Sequence, residues 1–401
     1  MVRERNSNSI VYILILIVLI WYNGFGYVGF SPYISIFSLF CYGASVFMLL
    51  SSYKEISWKK YKLPTLIFIS TCISMFMSML LWKQDMFDIM KNFKPYYLVL
   101  VFFFLCSKKA NPQKVELTLI IIAILYVFCW LYQIYKVPEL IFGMDRDEDL
   151  GNVESRGFYR FWIPTKENMP ILTLFFYEMY RRTKKVLCLT LMSLCFVIVI
   201  LHVARQMMFW TFVALVFLIL YHNRKKWRNI LVASVLAYFS VNILIDNVPT
   251  LQLLFEQTET QAESAEDDIR AKAMDFYFNK SKEDPIGFLF GNGVASSGPL
   301  GTFNQKAQKN GFYESDIGYV ALLFDFGLVG LISYILLFCQ IFRMKVEDKY
   351  VYLKFYLFYI YGSYTLAHAL TTNILFNMCA IYVLYYSHNK VVINKKKLMI
   401  S

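Results

Sequence analysis

The segment Val115–Tyr135, "VELTLIIIAILYVFCWLYQIY", decides the fold class. Its 21 residues include one charged side chain, Glu116, and consist mainly of large apolar and aromatic residues. A helix of about 20 apolar residues crosses the hydrocarbon core of a bilayer, because each residue advances the helix axis by about 1.5 Å. The segment therefore predicts a transmembrane helix.

The rest of the chain repeats this composition. The 401 residues are 58% hydrophobic and 18% aromatic, with a mean hydropathy of +0.47, which is too apolar for a water-soluble domain. We therefore predict an all-α polytopic membrane protein in which residues 1–401 form a single integral membrane domain. The fourth predicted span is short and draws on residues 87–93. The twelve apolar segments are residues 10–30, 33–52, 63–82, 95–107, 115–135, 163–180, 186–203, 207–222, 229–246, 316–342, 350–369 and 371–387.

The distribution of Lys and Arg predicts the orientation. If the N-terminus is cytoplasmic, the inner connections carry 24 of these residues and the short outer loops carry 8. Because cytoplasmic loops are enriched in Lys and Arg, both termini are expected in the cytoplasm. The N-terminal segment has no small-x-small cleavage site before Trp21 and is interpreted as an uncleaved first helix. The net charge of +12 is thus a topology signal, and no nucleic-acid partner is predicted.

Two predicted outer loops are long enough to carry chemistry. The first covers residues 136–162, and the second covers residues 247–315 with ten acidic and six basic side chains. Within the second loop, Glu263–Asn279 has helical composition and is followed by glycines that break regular structure. We expect one helix, a glycine-rich turn, and a return to the membrane at Asp316.

Arg205 lies in the turn between the seventh and eighth predicted spans, in the stretch "LHVARQMMFW". A cation at that depth is costly unless it faces a partner or a wet cavity, or reaches the lipid headgroups. Either a binding role or an extended, headgroup-directed side chain fits the position. His202, three residues earlier, is either substrate-facing or a packed interfacial histidine.

The stretch "ESRGFYRFWIPTKENMP" interleaves three cations, Arg156, Arg160 and Lys166, with aromatic residues that include Tyr159 and Trp162. Arginine grips phosphate oxygens through paired hydrogen bonds, and aromatic rings suit the face of a sugar. The alternative is an aromatic belt with cations that bind lipid headgroups.

The stretch "GFYESDIGYVALLFDFGLVGL" places Glu314 and Asp316 at the outer mouth of the tenth predicted span, with Asp325 about 13 Å deeper. Carboxylates at the edge of an apolar region have raised pKa values, which favours general-base catalysis. Helix capping explains Glu314 and Asp316 equally well. Capping does not explain Asp325, which lies inside a span.

No motif for a cofactor is present. The sequence has no P-loop, no Rossmann glycine pattern and no His-Glu-x-x-His, and the acidic run Asp145–Asp149 is interpreted as solvated charge. We therefore predict neither a metal site nor a cofactor. Arg270 leads into the glycine-rich turn, where it forms either a ligand contact or a surface salt bridge.

In chain order, these features resemble the O-antigen polymerase and O-antigen ligase superfamily of membrane glycosyltransferases. The motifs that carry the resemblance are "SRGFYRFWIP", the Ala204-Arg205 pair, "DIRAKAMDFYF" with "DPIGFLFGNG", and "DFGLVGL". Two features depart from the family pattern: the pair is not Ser-Arg, and residues 247–315 contain no histidine, which the ligases usually use there.

The resemblance implies metal-independent polymerisation of polyprenyl-pyrophosphate-linked repeat units at the outer face of the bacterial cytoplasmic membrane. Membrane lipids, a chain-length regulator and a flippase are the other partners that it implies. Lipid-linked oligosaccharide flippase, O-antigen ligase and proton-coupled transporter remain as alternative functions. The implied residues are Arg205 and Arg270 for the pyrophosphate, Arg156 and Arg160 for the second lipid-linked chain, Glu314 or Asp316 as base, and Lys166, His202, Tyr159 and Trp162 for further substrate contacts.

Overall fold

A computed structural model of the chain describes residues 15, 24–29, 34–93, 95–137, 139–143, 163–202, 204–223, 269–295, 297–365 and 373–400. These residues form helices and, within them, no strand beyond one isolated bridge between Tyr27 and Phe142. The α-helices of this part of the chain are α1 (Ile34–Ser52), α2 (Lys62–Trp82), α3 (Met86–Asn92), α4 (Leu100–Ser107), α5 (Pro112–Lys136), α6 (Pro170–Thr183), α7 (Val186–Leu201), α8 (Arg205–His222), α9 (Ile269–Glu283), α10 (Pro285–Phe290), α11 (Gly298–Lys309), α12 (Gly318–Arg343), α13 (Val351–Ser363) and α14 (Ile374–Ile400). Short 3₁₀ helices cover Gly24–Gly26, Tyr53–Glu55, Tyr96–Val99, Lys166–Asn168, Glu314–Asp316 and Asp348–Tyr350.

Three of these helices, α2, α5 and α12, are long and apolar enough to cross a membrane. Residues 86–92 and 96–107 make a fourth candidate span that bends by 58° at its break, in the region where the sequence predicts a short fourth span. The all-helical, membrane-spanning character is therefore confirmed for the described residues. The number of twelve spans and the positions of the termini stay predictions, and two predicted spans, residues 229–246 and most of 10–30, lie outside the described residues.

The chain divides into two compact units. The first comprises residues 1–23, 32–122 and 269–401, and the second comprises residues 24–31 and 123–268. In the second unit, α6, α7 and α8 are connected by tight turns. Lys184 adopts a left-handed conformation between α6 and α7, and α7 ends at Leu201, four residues before α8 begins at Arg205. This agrees with the tight turn that the sequence predicts there.

The connecting segment, residues 269–317, belongs to the first unit and differs from the expectation of one helix followed by a turn. It contains α9, α10 and α11, of which α10 and α11 were not expected. Proline in the first turn of α11 is favourable, since its missing N–H would have no intrahelical acceptor there. Asp284 caps α10 by accepting a hydrogen bond of 3.0 Å from the Ile286 nitrogen.

The connecting segment is packed against α2 and α12 through an aromatic core. Tyr277 and Phe324 are fully buried, and their ring centroids lie 5.1 Å apart. Phe303 lies 5.4 Å from Trp82 and stacks on Phe276 at the same separation. Burial of this apolar surface, at about 25 cal/mol per Å², is what holds the segment on the two helices.

Candidate active site

The site is built around a break in α12. Gly327 has φ 66° and ψ −178°, so the backbone leaves the helical conformation two residues after Asp325. A break inside an apolar helix exposes carbonyl oxygens that need donors from the protein. The connecting segment supplies them: the Asn292 nitrogen donates to the Phe324 oxygen at 2.8 Å, and the Gly293 nitrogen donates to the Asp325 oxygen at 3.0 Å.

Side chains complete this arrangement. The Asn292 amide nitrogen also donates to the Phe324 oxygen at 3.3 Å, and the Trp82 ring nitrogen donates to the Asn292 amide oxygen at 3.1 Å. The Ser74 hydroxyl donates to the Asp325 carbonyl oxygen. The broken helix, α2 and the connecting segment are therefore joined by one hydrogen-bond network.

Glycine is required at the contact between the two backbones. A Cβ atom at Gly291, whose φ is +94°, would lie 2.2 Å from the Asp325 oxygen. A Cβ atom at Gly327 would lie 2.4 Å from the Gly291 nitrogen. Both positions combine a left-handed conformation with contact distances that no side chain permits, so these glycines fix the docking of the connecting segment.

Two carboxylates of α12 and the 3₁₀ helix before it each have a buried oxygen without a partner among the described residues. Asp325 is 1% exposed, and its Oδ1 atom has no hydrogen-bond partner among the described residues. Glu314, in the 3₁₀ helix that precedes α12, has a buried Oε1 atom that likewise lacks a partner in the described part of the chain. Buried carboxylate oxygens are normally hydrogen-bonded, so an unmatched pair indicates a place for a polar ligand group, a proton or water.

The surroundings of Glu314 change its acidity. Burial raises the pKa of the Glu314 carboxyl from 4.5 to about 7, and a hydrogen bond with the Asn304 side chain acts in the opposite direction. Burial also raises the pKa of the Tyr277 hydroxyl, and the charges of Glu314 and Asp325 act in the same direction. Tyr277 therefore lies within electrostatic reach of both carboxylates. A carboxyl with a pKa near 7 can exchange a proton with substrate at neutral pH.

Asp316 is half-buried, as Glu314 is, but its side chain accepts a hydrogen bond of 3.2 Å from the Ser315 hydroxyl. The N-cap of α12 is Ile317, with no side-chain capping bond, so the capping alternative for Asp316 and Glu314 finds no support in this helix. Arg270, the second residue of α9, is exposed in the same unit.

The other predicted site residues that the structure describes belong to the second unit. The Trp130 ring stacks on His202 at 4.4 Å. One ring nitrogen of His202 lies 3.1 Å from the Tyr126 hydroxyl, and the other lies 2.8 Å from the Ile198 oxygen. Because both nitrogens have protein partners, this arrangement favours the packed-histidine alternative, and substrate binding by His202 stays a prediction.

The structure describes only some of the other cationic residues that the sequence predicts for the site. Lys166 is half-buried in its 3₁₀ helix, and Arg205 is the first residue of α8. The predicted contacts Arg156, Tyr159, Arg160 and Trp162 lie outside the described residues. The structure therefore brings together Glu314 and Asp316, and the roles of the cations stay predictions. No group of three His, Cys, Asp or Glu side chains that could hold a metal occurs among the described residues.

The sequence reasoning left Asp325, Tyr277 and Asn304 out of the site. Asp325 carried a usable signal, since it is an acidic residue within an apolar run and is followed two positions later by glycine. Tyr277 and Asn304 carried none, because their position beside Glu314 depends on how the connecting segment folds.

One comparison with known proteins bears on this site. The family model described as O-antigen ligase matches residues 171–335, a range that contains Glu314, Asp325 and the break in α12. No curated protein and no solved structure matches the chain. The match confirms the resemblance of this part of the chain to the O-antigen polymerase and ligase superfamily, and it indicates a membrane enzyme of the O-antigen ligase or polymerase type.

Proposed function

We propose that the protein is a bacterial membrane glycosyltransferase that polymerises polyprenyl-pyrophosphate-linked oligosaccharide repeat units into O-antigen, capsular or other exopolysaccharide. The observation that carries this proposal is the Glu314 carboxyl group, which has a pKa of about 7 and a buried oxygen without a hydrogen-bond partner among the described residues. The family match over residues 171–335 supports lipid-linked glycans as the substrate class.

In the proposed reaction, Glu314 is the general base. Ionised Glu314 takes the proton of the acceptor sugar hydroxyl while that oxygen forms a new bond to the anomeric carbon of the donor. The bond between the anomeric carbon and the pyrophosphate oxygen breaks, and its electron pair leaves on that oxygen. Asp316 is the alternative base, but its half-buried carboxylate already accepts a hydrogen bond from Ser315.

Arginine side chains take the charge of the leaving group in this proposal. We assign Arg205 and Arg270 to the pyrophosphate and Arg156 and Arg160 to the second lipid-linked chain. Fixed cations stabilise negative charge as it develops in the transition state, which is why no metal or cofactor enters the proposal. Further substrate contacts are assigned to Lys166, Tyr159, Trp162 and His202.

Two features support polymerase over flippase and ligase. A flippase needs no base, whereas the raised pKa of Glu314, about 7, suits a general base at neutral pH. A ligase of the superfamily usually uses a histidine in the large outer loop, and residues 247–315 contain none. We place the active site on the outer face of the cytoplasmic membrane, with a flippase and a chain-length regulator as partners.

A deletion strain and a purified enzyme test the proposal. The strain is expected to keep single exported repeat units and to lose long chains. Accumulation of lipid-linked units on the inner leaflet would indicate a flippase instead. Purified protein is expected to extend lipid-linked repeats, and Glu314→Gln is expected to reduce that rate by about 10²-fold or more.

Glu283→Gln is the matched control for the charge change. Glu283 lies in the same connecting segment, is exposed, and forms an ion pair with Lys280 at 2.5 Å. It should retain wild-type activity. Full activity in Glu314→Gln would remove Glu314 from the mechanism.

A further inference from the structure

The turn between α6 and α7 carries a group of exposed cations. Its sequence, Arg181–Lys185, is Arg-Arg-Thr-Lys-Lys. Arg182, Lys184 and Lys185 are exposed, and none of the three forms an ion pair with another described residue. Cations this close together repel one another, so an anion bound to the turn would be stabilised.

The acidic residue at this end of α6 is already paired. Glu178 is 1% exposed and accepts hydrogen bonds of 2.6 and 3.1 Å from the guanidinium group of Arg181. The Nε2 atom of His222, at the end of α8, lies 3.2 Å from the Oε2 atom of Glu178. Because Glu178 is buried and held by two partners, it does not neutralise the exposed cations of the turn.

The turn lies at one end of an exposed apolar surface. α7 contains no charged residue, and its first two residues, Val186 and Leu187, are 72% and 66% exposed. Leu194 and Val197 are also exposed, eight and eleven positions after Val186, which places them on the same helix face. A large exposed apolar surface in a membrane protein contacts lipid chains. The cations therefore lie where the lipid phosphate groups are expected.

The backbone of the turn adds to its positive potential. Lys185 is the N-cap of α7 and forms no side-chain capping bond, because an ammonium group has no acceptor. The start of a helix also carries a partial positive charge. The turn is fixed by hydrogen bonds of 2.7 Å from the Lys184 nitrogen to the Tyr180 oxygen and from the Thr183 hydroxyl to the Met179 oxygen.

We propose that Arg182, Lys184 and Lys185 bind the phosphate group of an anionic phospholipid whose hydrocarbon chains lie on the exposed face of α7. An arginine fork binds two phosphate oxygens at once, and each lysine adds a point charge. A phospholipid joins a negative phosphate to apolar chains, so it matches both the turn and the helix face. The predicted topology assigns this lipid to the inner leaflet. The site does not depend on the proposed function, since none of these residues is assigned to glycosyl transfer.

Native mass spectrometry of the purified protein tests the site. The protein is mixed with equal amounts of phosphatidylglycerol and phosphatidylcholine that have identical chains, and the two lipids are compared in the species with one lipid bound. Wild type is expected to retain phosphatidylglycerol preferentially. Each of Arg182→Gln, Lys184→Gln and Lys185→Gln is expected to lower that preference about fivefold, the usual contribution of one cation near a charged membrane surface. Equal retention of the two lipids by wild type would overturn the proposal.

A variant with the same charges separates lipid binding from damage to the turn. Arg182→Lys combined with Lys184→Arg and Lys185→Arg keeps three cations and should keep most of the preference. The combined glutamine variant should lose the preference but unfold in phosphatidylcholine at the wild-type midpoint. Loss of the preference in both combined variants would overturn the role of charge.

A second variant controls for total charge. Lys282→Gln, Lys306→Gln and Lys309→Gln together remove three cations from exposed positions of the connecting segment. This variant should keep the wild-type preference. A fall as large as that in the combined glutamine variant would overturn the assignment of the lipid to the turn.

Inorganic phosphate distinguishes a lipid from a soluble anion. An excess of phosphate, compared with sodium chloride at the same ionic strength, should leave phosphatidylglycerol bound, because phosphate has no chains to cover the face of α7. Displacement of the lipid by phosphate, but not by chloride, would show that the turn binds a soluble anion and would overturn the lipid as its ligand.

Discussion

The main-chain nitrogen of Gly293 donates a hydrogen bond of 3.0 Å to the carbonyl oxygen of Asp325. This contact joins the connecting segment to the only described helix in which a carboxylate side chain and a broken backbone coincide. The hydrogen bond from Gly293 therefore satisfies a carbonyl group at the break and also fixes the backbone of Asp325. Structure and chemistry of the site therefore depend on the same few atoms.

Replacement of Gly291 by alanine should destabilise the protein and abolish glycan extension. The new Cβ atom would lie 2.2 Å from the Asp325 oxygen, and the left-handed φ alone costs about 1 kcal/mol or more. Thermal unfolding in detergent measures the loss. Gly43→Ala is the matched control, because a Cβ atom at Gly43 meets nothing within 4 Å. Equal stability of the two variants would contradict the backbone contact.

The stability of the protein should depend on pH through Glu314. Its pKa is raised in the folded state from 4.5 to about 7, so the folded state holds a proton that the unfolded state releases between these values. The contribution of Glu314 to stability should therefore fall as pH rises from 4.5 to about 7 and stay level above that. Unfolding midpoints in denaturant should lose this slope in Glu314→Gln; an unchanged slope would show that other groups cause it.

Replacement of Lys354 by methionine should destabilise the end of α12. The Lys354 ammonium donates to the carbonyl oxygens of Phe342, at 3.1 Å, and Met344, both at the end of that helix. Loss of the donor leaves buried carbonyl groups without a partner, at a cost of about 1–3 kcal/mol. Lys390→Met, which removes an exposed ion pair with Glu347, should cost less than about 1 kcal/mol. The comparison of their unfolding midpoints checks the prediction.

The predicted orientation can be measured by cysteine labelling. On a cysteine-free background, Asn310→Cys should react with a membrane-impermeant thiol reagent in spheroplasts, whereas Lys59→Cys should react only after permeabilisation. Both positions are exposed in the structure. The reverse pattern would place the connecting segment on the cytoplasmic side and would contradict an outer active site.

The lengths of the apolar segments in the sequence were sufficient to predict the long helices. The predicted spans 63–82 and 115–135 agree with Lys62–Trp82 and Pro112–Lys136 to within three residues at each end. Apolar length could not find the break at Gly327, because hydropathy averages over many residues while the break depends on one backbone conformation. It also missed α11, whose early glycine and proline resemble the signals of a loop.

The candidate site was predictable only where chemistry and local sequence coincide. Glu314 was predicted because a carboxylate at the edge of an apolar region has a raised pKa, and its catalytic role stays a prediction. Asp325 was seen as unusual but had no assigned site role, since its backbone contact comes from Gly293, 32 positions earlier in the chain. Such a contact is set by the fold of the connecting segment, which no local pattern in the sequence reveals.

The broken helix also bears on how the protein is made. Its unsatisfied carbonyl groups, on Phe324 and Asp325, find their donors on Asn292 and Gly293, which precede them in the chain. During synthesis the donors therefore leave the ribosome first. By the time the break emerges, the segment that neutralises its polarity has already been made, and the order of the sequence favours correct insertion of the last spans.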